Sequence, residues 1–157
     1  MRPDRFNIRV YALILDRQEK NILISDERVA GLEFSKFPGG GLEFGEGVMD
    51  CIHREAIEEL GQEIEVKNHF YTTDFFQRSA FRDRDQLISI YYLAQLKENP
   101  KFEVSERSFD FSSENDGEQS FRWHSINESL KETLRWPVDK VVAEKLCSKK
   151  NLNSEGD

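Results

Sequence analysis

Covalent staples are nearly absent from this chain. It has two cysteines, Cys51 and Cys147, in 157 residues, at no spacing used for a metal site or a redox pair, so neither a disulfide framework nor a thiolate metal centre organises it. Long apolar runs are missing too. Charged residues make up 33% of the chain and the mean hydropathy is -0.67, which excludes a membrane-spanning helix. Positive charge is in deficit, 22 Lys and Arg against 30 Asp and Glu, for a net charge of -8. Phosphate backbones need a basic surface, so neither a nucleic acid polymer nor an anionic membrane is an expected partner. A small phosphorylated ligand stays admissible, because a bound divalent ion reverses the local field. The opening residues, MRPDRFNIRV, carry no signal-peptide stretch, and a cytoplasmic, reducing setting is expected.

What is present fits one domain over residues 1–150 with a normal-sized core and a frayed, disordered polar tail at 151–157. Residues 6–16 alternate and then turn apolar on both faces, as a strand entering the middle of a sheet does. A polar turn leads to a second strand at 21–26, followed by a loop at 31–36. Phe37-Pro38-Gly39-Gly40-Gly41 reads as a tight bend and 42–44 as a short strand. Further strands are expected at 64–76, with a break near 72–74, at 86–96, and at 121–126. Helices are expected at 48–60, stopped by Gly61, and at 127–134 and 138–149, with Pro137 near the first turn of the last. The long acidic connection at 97–119 is of a length usually functional or mobile.

The first of these helices carries the chemistry. At about 100° per residue from Val48, the side chains of Val48, Ile52, Ala56 and Leu60 run from about 0° to about 120°. Glu55, Glu58 and Glu59 fall at about 340°, 280° and 20°, one narrow arc with Glu59 inside the apolar stripe. Three anions at a core edge repel one another and lose hydration, so a cation belongs among them. Oxygen-only donors select a hard divalent ion, Mg²⁺ or Mn²⁺.

The stretch from Gly40 to Gln62 resembles the Nudix box, G-x5-E-x7-R-E-U-x-E-E-x-G-U with U aliphatic. Gly40 takes the first position, Glu46 the next glutamate, and Arg54-Glu55-Ala56-Ile57-Glu58-Glu59-Leu60-Gly61 fills R-E-U-x-E-E-x-G. Gln62 departs from the aliphatic final position, a change expected to weaken one apolar contact and leave the chemistry alone. The resemblance implies an α/β fold, a Nudix-type α/β/α sandwich with a mixed β-sheet. It also implies a Mg²⁺-dependent pyrophosphohydrolase acting on a nucleoside diphosphate linked to another moiety. Glu55, Glu58 and Glu59 become the metal ligands, Arg54 their orienting partner, and Glu46 either a further ligand or a brace for the loop. No single base is assigned among the glutamates.

The remaining site residues are weaker. Relatives of the box often draw a further carboxylate from a loop before the last strand, where Glu118 is the first choice and Glu114 the second; an ordinary acidic loop explains either as well. Gly40 and Gly41 would let substrate approach the backbone. Arg78 and Arg82, with Arg84, could fork onto phosphate, although their alternation with Asp83 and Asp85 suits a solvated, salt-bridged loop equally. Phe75, Phe76, Phe81, Phe109 or Phe111 could stack a base, while most phenylalanines serve the core. Two subfamily marks are absent: no proline stands between Pro38 and Pro100, and no tyrosine in 76–80. The substrate therefore stays open among nucleoside triphosphates, nucleotide sugars and dinucleotides. The alternatives are a nucleotide-sensing module without turnover and an isomerase using Cys51, at about 300° on the wheel. A homodimer is implied only at family level.

Overall fold

Tyr11, Val10 and Arg9 pair with Gly39, Gly40 and Gly41, and this pairing seats the glycine segment on the first strand. The computed structural model describes residues 1–155. It comprises, in chain order, β1 (Arg5–Ile14), β2 (Asn21–Val29), β3 (Leu32–Lys36), β4 (Gly39–Gly41), α1 (Val48–Leu60), β5 (Ile64–Thr72), β6 (Asp85–Leu96), β7 (Gln119–Ser125), α2 (Ser129–Thr133) and α3 (Pro137–Glu155). The chain groups into two compact units, one of Met1–Ile14 and Pro38–Lys101, the other of Leu15–Phe37 and the chain from Phe102 onward.

The first unit is a four-stranded mixed sheet in the order β4-β1-β6-β5. β1 and β6 run parallel over ten paired positions, and the other neighbours are antiparallel. The second half of β1, Val10–Ile14, is buried throughout, and Tyr91, Leu93 and Ala94 of β6 are buried beside it, as suits a parallel pair. Val10, Leu13, Ile14 and Tyr91 are fully buried, with Ile52 and Leu60 of α1 nearly so, and Tyr11, Tyr91 and Tyr71 form a tilted row. The second unit holds the antiparallel sheet β3-β2-β7 with α2 and α3. Its core is Ile22, Leu23 and Ile24 together with Leu130, Leu134 and Val142. An α/β fold with a mixed sheet is thus what the chain forms. Among the described residues no helix is long and apolar enough to cross a membrane.

Several boundaries differ from expectation. Residues 31–36 were expected as loop, yet Leu32–Lys36 is a strand: Ser35 and Lys36 are buried polar residues, matched by Asp26 and Glu27, and so hide the apolar alternation. The short strand is not 42–44 but Gly39–Gly41, made by pairing to β1 rather than by any strand propensity of glycine. α3 continues past Lys149 to Glu155, so the first residues of the expected tail are helical, and 156–157 lie outside the described residues. β5 ends at Thr72, where a break was expected, and Thr73 then bonds back to Ser89.

Candidate active site

α1 begins where Asp50 accepts the N–H of Gly47 at 2.8 Å and ends where Gly61, at φ +68°, donates to Ile57 O at 3.0 Å. The left-handed residue at the stop is one only glycine takes without cost. The buried positions are Cys51, Ile52, Ala56 and Leu60. Because Cys51 joins the apolar row, the inward arc is wider than the aliphatic stripe alone. Glu55 and Glu59 lie inside that arc and are half-buried, while Glu58 is exposed. The three carboxylates are therefore unequal, with side-chain exposures of 14% for Glu55 and 57% for Glu58.

One cation already stands among them. Arg54 grips Glu46 with both arms, Nε to Oε2 at 2.9 Å and Nη2 to Oε1 at 2.7 Å. Its Nη1 reaches Glu55 at 3.0 Å and Glu58 at 3.1 Å, and Nη2 also donates to the carbonyl of Gly41 at 3.0 Å. A planar guanidinium is suited to this, presenting five donors in a fixed fork. Glu46 further accepts the N–H of Glu43 at 2.9 Å. Arg54 holds its carboxyl down at about 2, and the carboxylates in turn raise the guanidinium, Glu46 first among them. Glu46 therefore braces the loop between β4 and α1, with both oxygens committed.

The glycines have distinct duties. A Cβ on Gly40 would lie 2.2 Å from Glu55 Oε1 and 2.4 Å from its Cδ, so Gly40 is small to make room for a carboxylate. On Gly39, at φ +151°, a Cβ would lie 2.2 Å from the carbonyl of Val10, and there the constraint is backbone. The N–H of Gly39 donates to Glu59 at 3.1 Å. The carbonyl of Gly41 receives Arg54 and the thiol of Cys51 at 3.5 Å. Cys51 is fully buried and desolvation, then Glu46, pushes its thiol up to about 12, opposite to what a nucleophilic thiolate requires.

The structure brings together Glu46, Arg54, Glu55, Glu58, Gly40 and Gly41, with Glu59 tied to Gly39. Among the described residues no three His, Cys, Asp or Glu side chains stand in the grouping a metal ion takes; Arg54 supplies the positive charge that holds Glu55 and Glu58. The donor chemistry fits a hard divalent ion all the same: oxygen only, on one stretch of helix, with Gly40 clearing space at Glu55. The other candidates lie apart in sequence and role. Arg78 donates to the carbonyls of Asp83 and Met1, and Arg82 is exposed on the same turn. Glu118, in the second unit, takes Ser113 Oγ at 2.7 Å, and that hydroxyl holds its carboxyl below the usual range; Glu114 is exposed.

Two features escaped the sequence reading. Gln62 is buried, its amide donating to the carbonyls of Glu98 and Asn99 and accepting the N–H of Lys101 at 2.7 Å. It is a polar latch rather than a weakened apolar contact. In the second unit, Asp26 is fully buried and paired with Arg122 at 2.7 Å. The signal was an acidic residue just after the apolar run 22–24, with an arginine in a later strand.

The family model for the NUDIX domain matches residues 5–145. Among solved structures, a NUDIX hydrolase from Nitrosomonas europaea is 20% identical, with 93% of this chain and 91% of that chain covered and a TM-score of 0.66. The MutT protein from Methanosarcina mazei Go1 is 18% identical, covering 94% and 96%, with a TM-score of 0.66. A MutT NUDIX hydrolase from Burkholderia pseudomallei is 18% identical, covering 90% and 98%, with a TM-score of 0.63. At these identities the structural likeness is one of fold.

Proposed function

We propose, from the premise that this chain belongs to the NUDIX domain family and is a hydrolase of phosphoanhydride bonds, that it is a Mg²⁺-dependent pyrophosphohydrolase, Mn²⁺ being able to substitute. Its substrate class is a nucleoside diphosphate linked to another moiety: a nucleoside triphosphate, a nucleotide sugar or a dinucleotide. The observation that carries this reading is the four-way grip of Arg54 on Glu46, Glu55, Glu58 and the Gly41 carbonyl.

Glu55, Glu58 and Glu59 would hold the ion through oxygen. When bound, such an ion neutralises charge on a diphosphate and acidifies water. The chain's own residues supply the rest. Glu46 fixes Arg54, and Arg54 fixes the direction of Glu55 and Glu58, so the carboxylates are set before substrate arrives. A box carboxylate accepts the proton of the attacking water. The water oxygen bonds in line to one phosphorus as the bridging P–O bond breaks, and that bond's electron pair leaves on the departing phosphate. Of the two loop arginines, Arg82 is the one proposed to meet phosphate, because Arg78 is spent on the carbonyls of Asp83 and Met1. Glu118, held ionised by Ser113, is retained as a further carboxylate.

The test is a panel of nucleoside diphosphate derivatives incubated with Mg²⁺, phosphate being read after phosphatase coupling. Glu58→Gln and Glu59→Gln should abolish product while leaving the melting curve in place. Turnover that survives exhaustive chelation would overturn the proposal, and saturable binding with no turnover across the panel would make the protein a sensing module.

A further inference from the structure

α1 covers only part of the sheet face it rests on. A Cβ on Gly40 would point at Glu55, and Gly40 pairs with Val10, so α1 lies on the face that carries Ile8 and Val10. There it packs against β4 and β1. The parallel register extends that face onto β6, with Ile8 beside Ile88, Val10 beside Ile90 and Ala12 beside Tyr92. Val10 and Ala12 are buried, whereas Ile8, Ile88, Ile90 and Tyr92 are half-buried, and Phe6, at the start of the same row, is 70% exposed. Adjacent strands lie about 4.8 Å apart and a helix with its side chains is about 10 Å across, so a face of four strands takes two helices. The described residues of this unit hold one, α1.

The helix supplies the wall of the groove that this leaves. On the wheel from Val48 the buried positions centre near about 40°, with Arg54 and Glu58 on one side at about 240° and 280°. Arg54 faces the loop after β4 through Glu46 and the Gly41 carbonyl. Met49 and Ile57, at about 100° and 180°, therefore stand on the side toward β6, and both are exposed, at 39% and 49%. Charge does not select what lies here. The floor is uncharged, and on the strands around it Arg5 is paired with Asp85 and Lys67 with Glu65. His53 and His69, both exposed, add a polar rim. Phe6, Met49, Ile57 and the half-buried floor leave about 500 Å² open, the upper part of what a monomer exposes. With the rim, the face approaches the roughly 800 Å² that each partner of a standard-size complex buries.

We propose that this face pairs with the same face of a second copy about a two-fold axis, the Met49–Ile57 shoulder of each α1 lying in the groove over the other's β6. A ridge standing beside a groove of its own width is self-complementary under that rotation, as an isologous contact requires. Arg54 and Glu58 stay open on the far side of α1, so the pairing does not depend on the hydrolase reading. Sedimentation equilibrium of the full chain, without substrate or metal, should give twice 18.4 kDa at about 100 μM and dissociation on dilution. Phe6→Glu and Ile57→Lys each put a charge in the contact and should weaken the dimer by about tenfold or more. Both side chains are exposed in the single chain, so the thermal transition should be retained. Leu152→Glu, at an equally exposed leucine of α3, should leave association unchanged. A wild type that stays monomeric at about 100 μM, leaving the face to an unlike partner or to none, would overturn the proposal. A dimer indifferent to both charged variants would do the same, as would one that Leu152→Glu dissolves equally. Because no metal or turnover enters the measurement, its failure and that of the hydrolase proposal are distinguishable.

Discussion

Replacing Gly40 with alanine tests whether the glycine exists for Glu55. The added Cβ would stand 2.2 Å from Glu55 Oε1, 2.4 Å from Cδ and 2.7 Å from Oε2, where contact begins at about 3.5 Å. The carboxylate must therefore move by about 1 Å. The obstacle is the far end of a flexible side chain and Gly40 has no left-handed φ, so the backbone can stay. The structural cost is an off-rotamer Glu55, about 0.5–1.5 kcal/mol, and a weakened, partly exposed pair with Arg54, about 0.2–1 kcal/mol. Together these lower Tm by about 2–8 °C for a domain of this size. The catalytic cost is larger, since displacing a reacting group by about 1 Å costs about 10²-fold. Calorimetry beside kcat/KM on the best substrate of the panel would read both. Gly39→Ala is the contrast: there the Cβ meets the Val10 carbonyl at 2.2 Å with φ at +151°, and the fold itself should fail. A Gly40→Ala enzyme active to within threefold, or one as unstable as Gly39→Ala, would refute the reasoning.

Other expectations follow from the same contacts. Arg54→Ala should cost stability in a pH-dependent way: the Glu46 carboxyl is depressed from 4.5 to about 2, so its contribution is complete above about 4.5 and fades as pH falls through about 2. The Tm gap between wild type and variant should accordingly be constant above pH 4.5 and narrow below it; a gap that widens on acidification contradicts this. Arg122→Met leaves Asp26 buried and unpaired and should cost about 3–5 kcal/mol in urea denaturation. Gln62→Leu restores the aliphatic residue usual at that position of the box, yet it strips the Lys101 N–H and two carbonyls of their partner. It should therefore destabilise by about 1–2 kcal/mol, and a stabilised variant would show the latch to be idle.

The chain's own order of residues was enough to place the box helix at Val48–Leu60 with its Gly61 stop, because periodicity and a left-handed stop are local properties. It likewise announced β6, expected at 86–96 and observed as Asp85–Leu96, and put Arg54 within reach of Glu58, a spacing any helix imposes. It did not announce β3 and β4. In β3 two of the three buried positions are a serine and a lysine whose partners lie on β2, about ten residues away, and in β4 they are glycines that β1 pulls into a sheet. The wheel ranked the three glutamates by the aliphatic stripe alone, and the burial of Cys51 turned that arc toward Glu55.

Sequence alone determined the identity of the donors and their spacing along one helix, since both follow from 3.6 residues per turn and from which side chains carry oxygen. Only the tertiary structure decided which partner each donor has. Whether Glu46 braces a loop, whether Gly40 must be bare, whether Gln62 holds a turn and whether Asp26 fixes Phe109 each depend on groups brought from distant positions. Contacts of that kind are set by packing and by the need to satisfy buried polar atoms, and no local pattern encodes them.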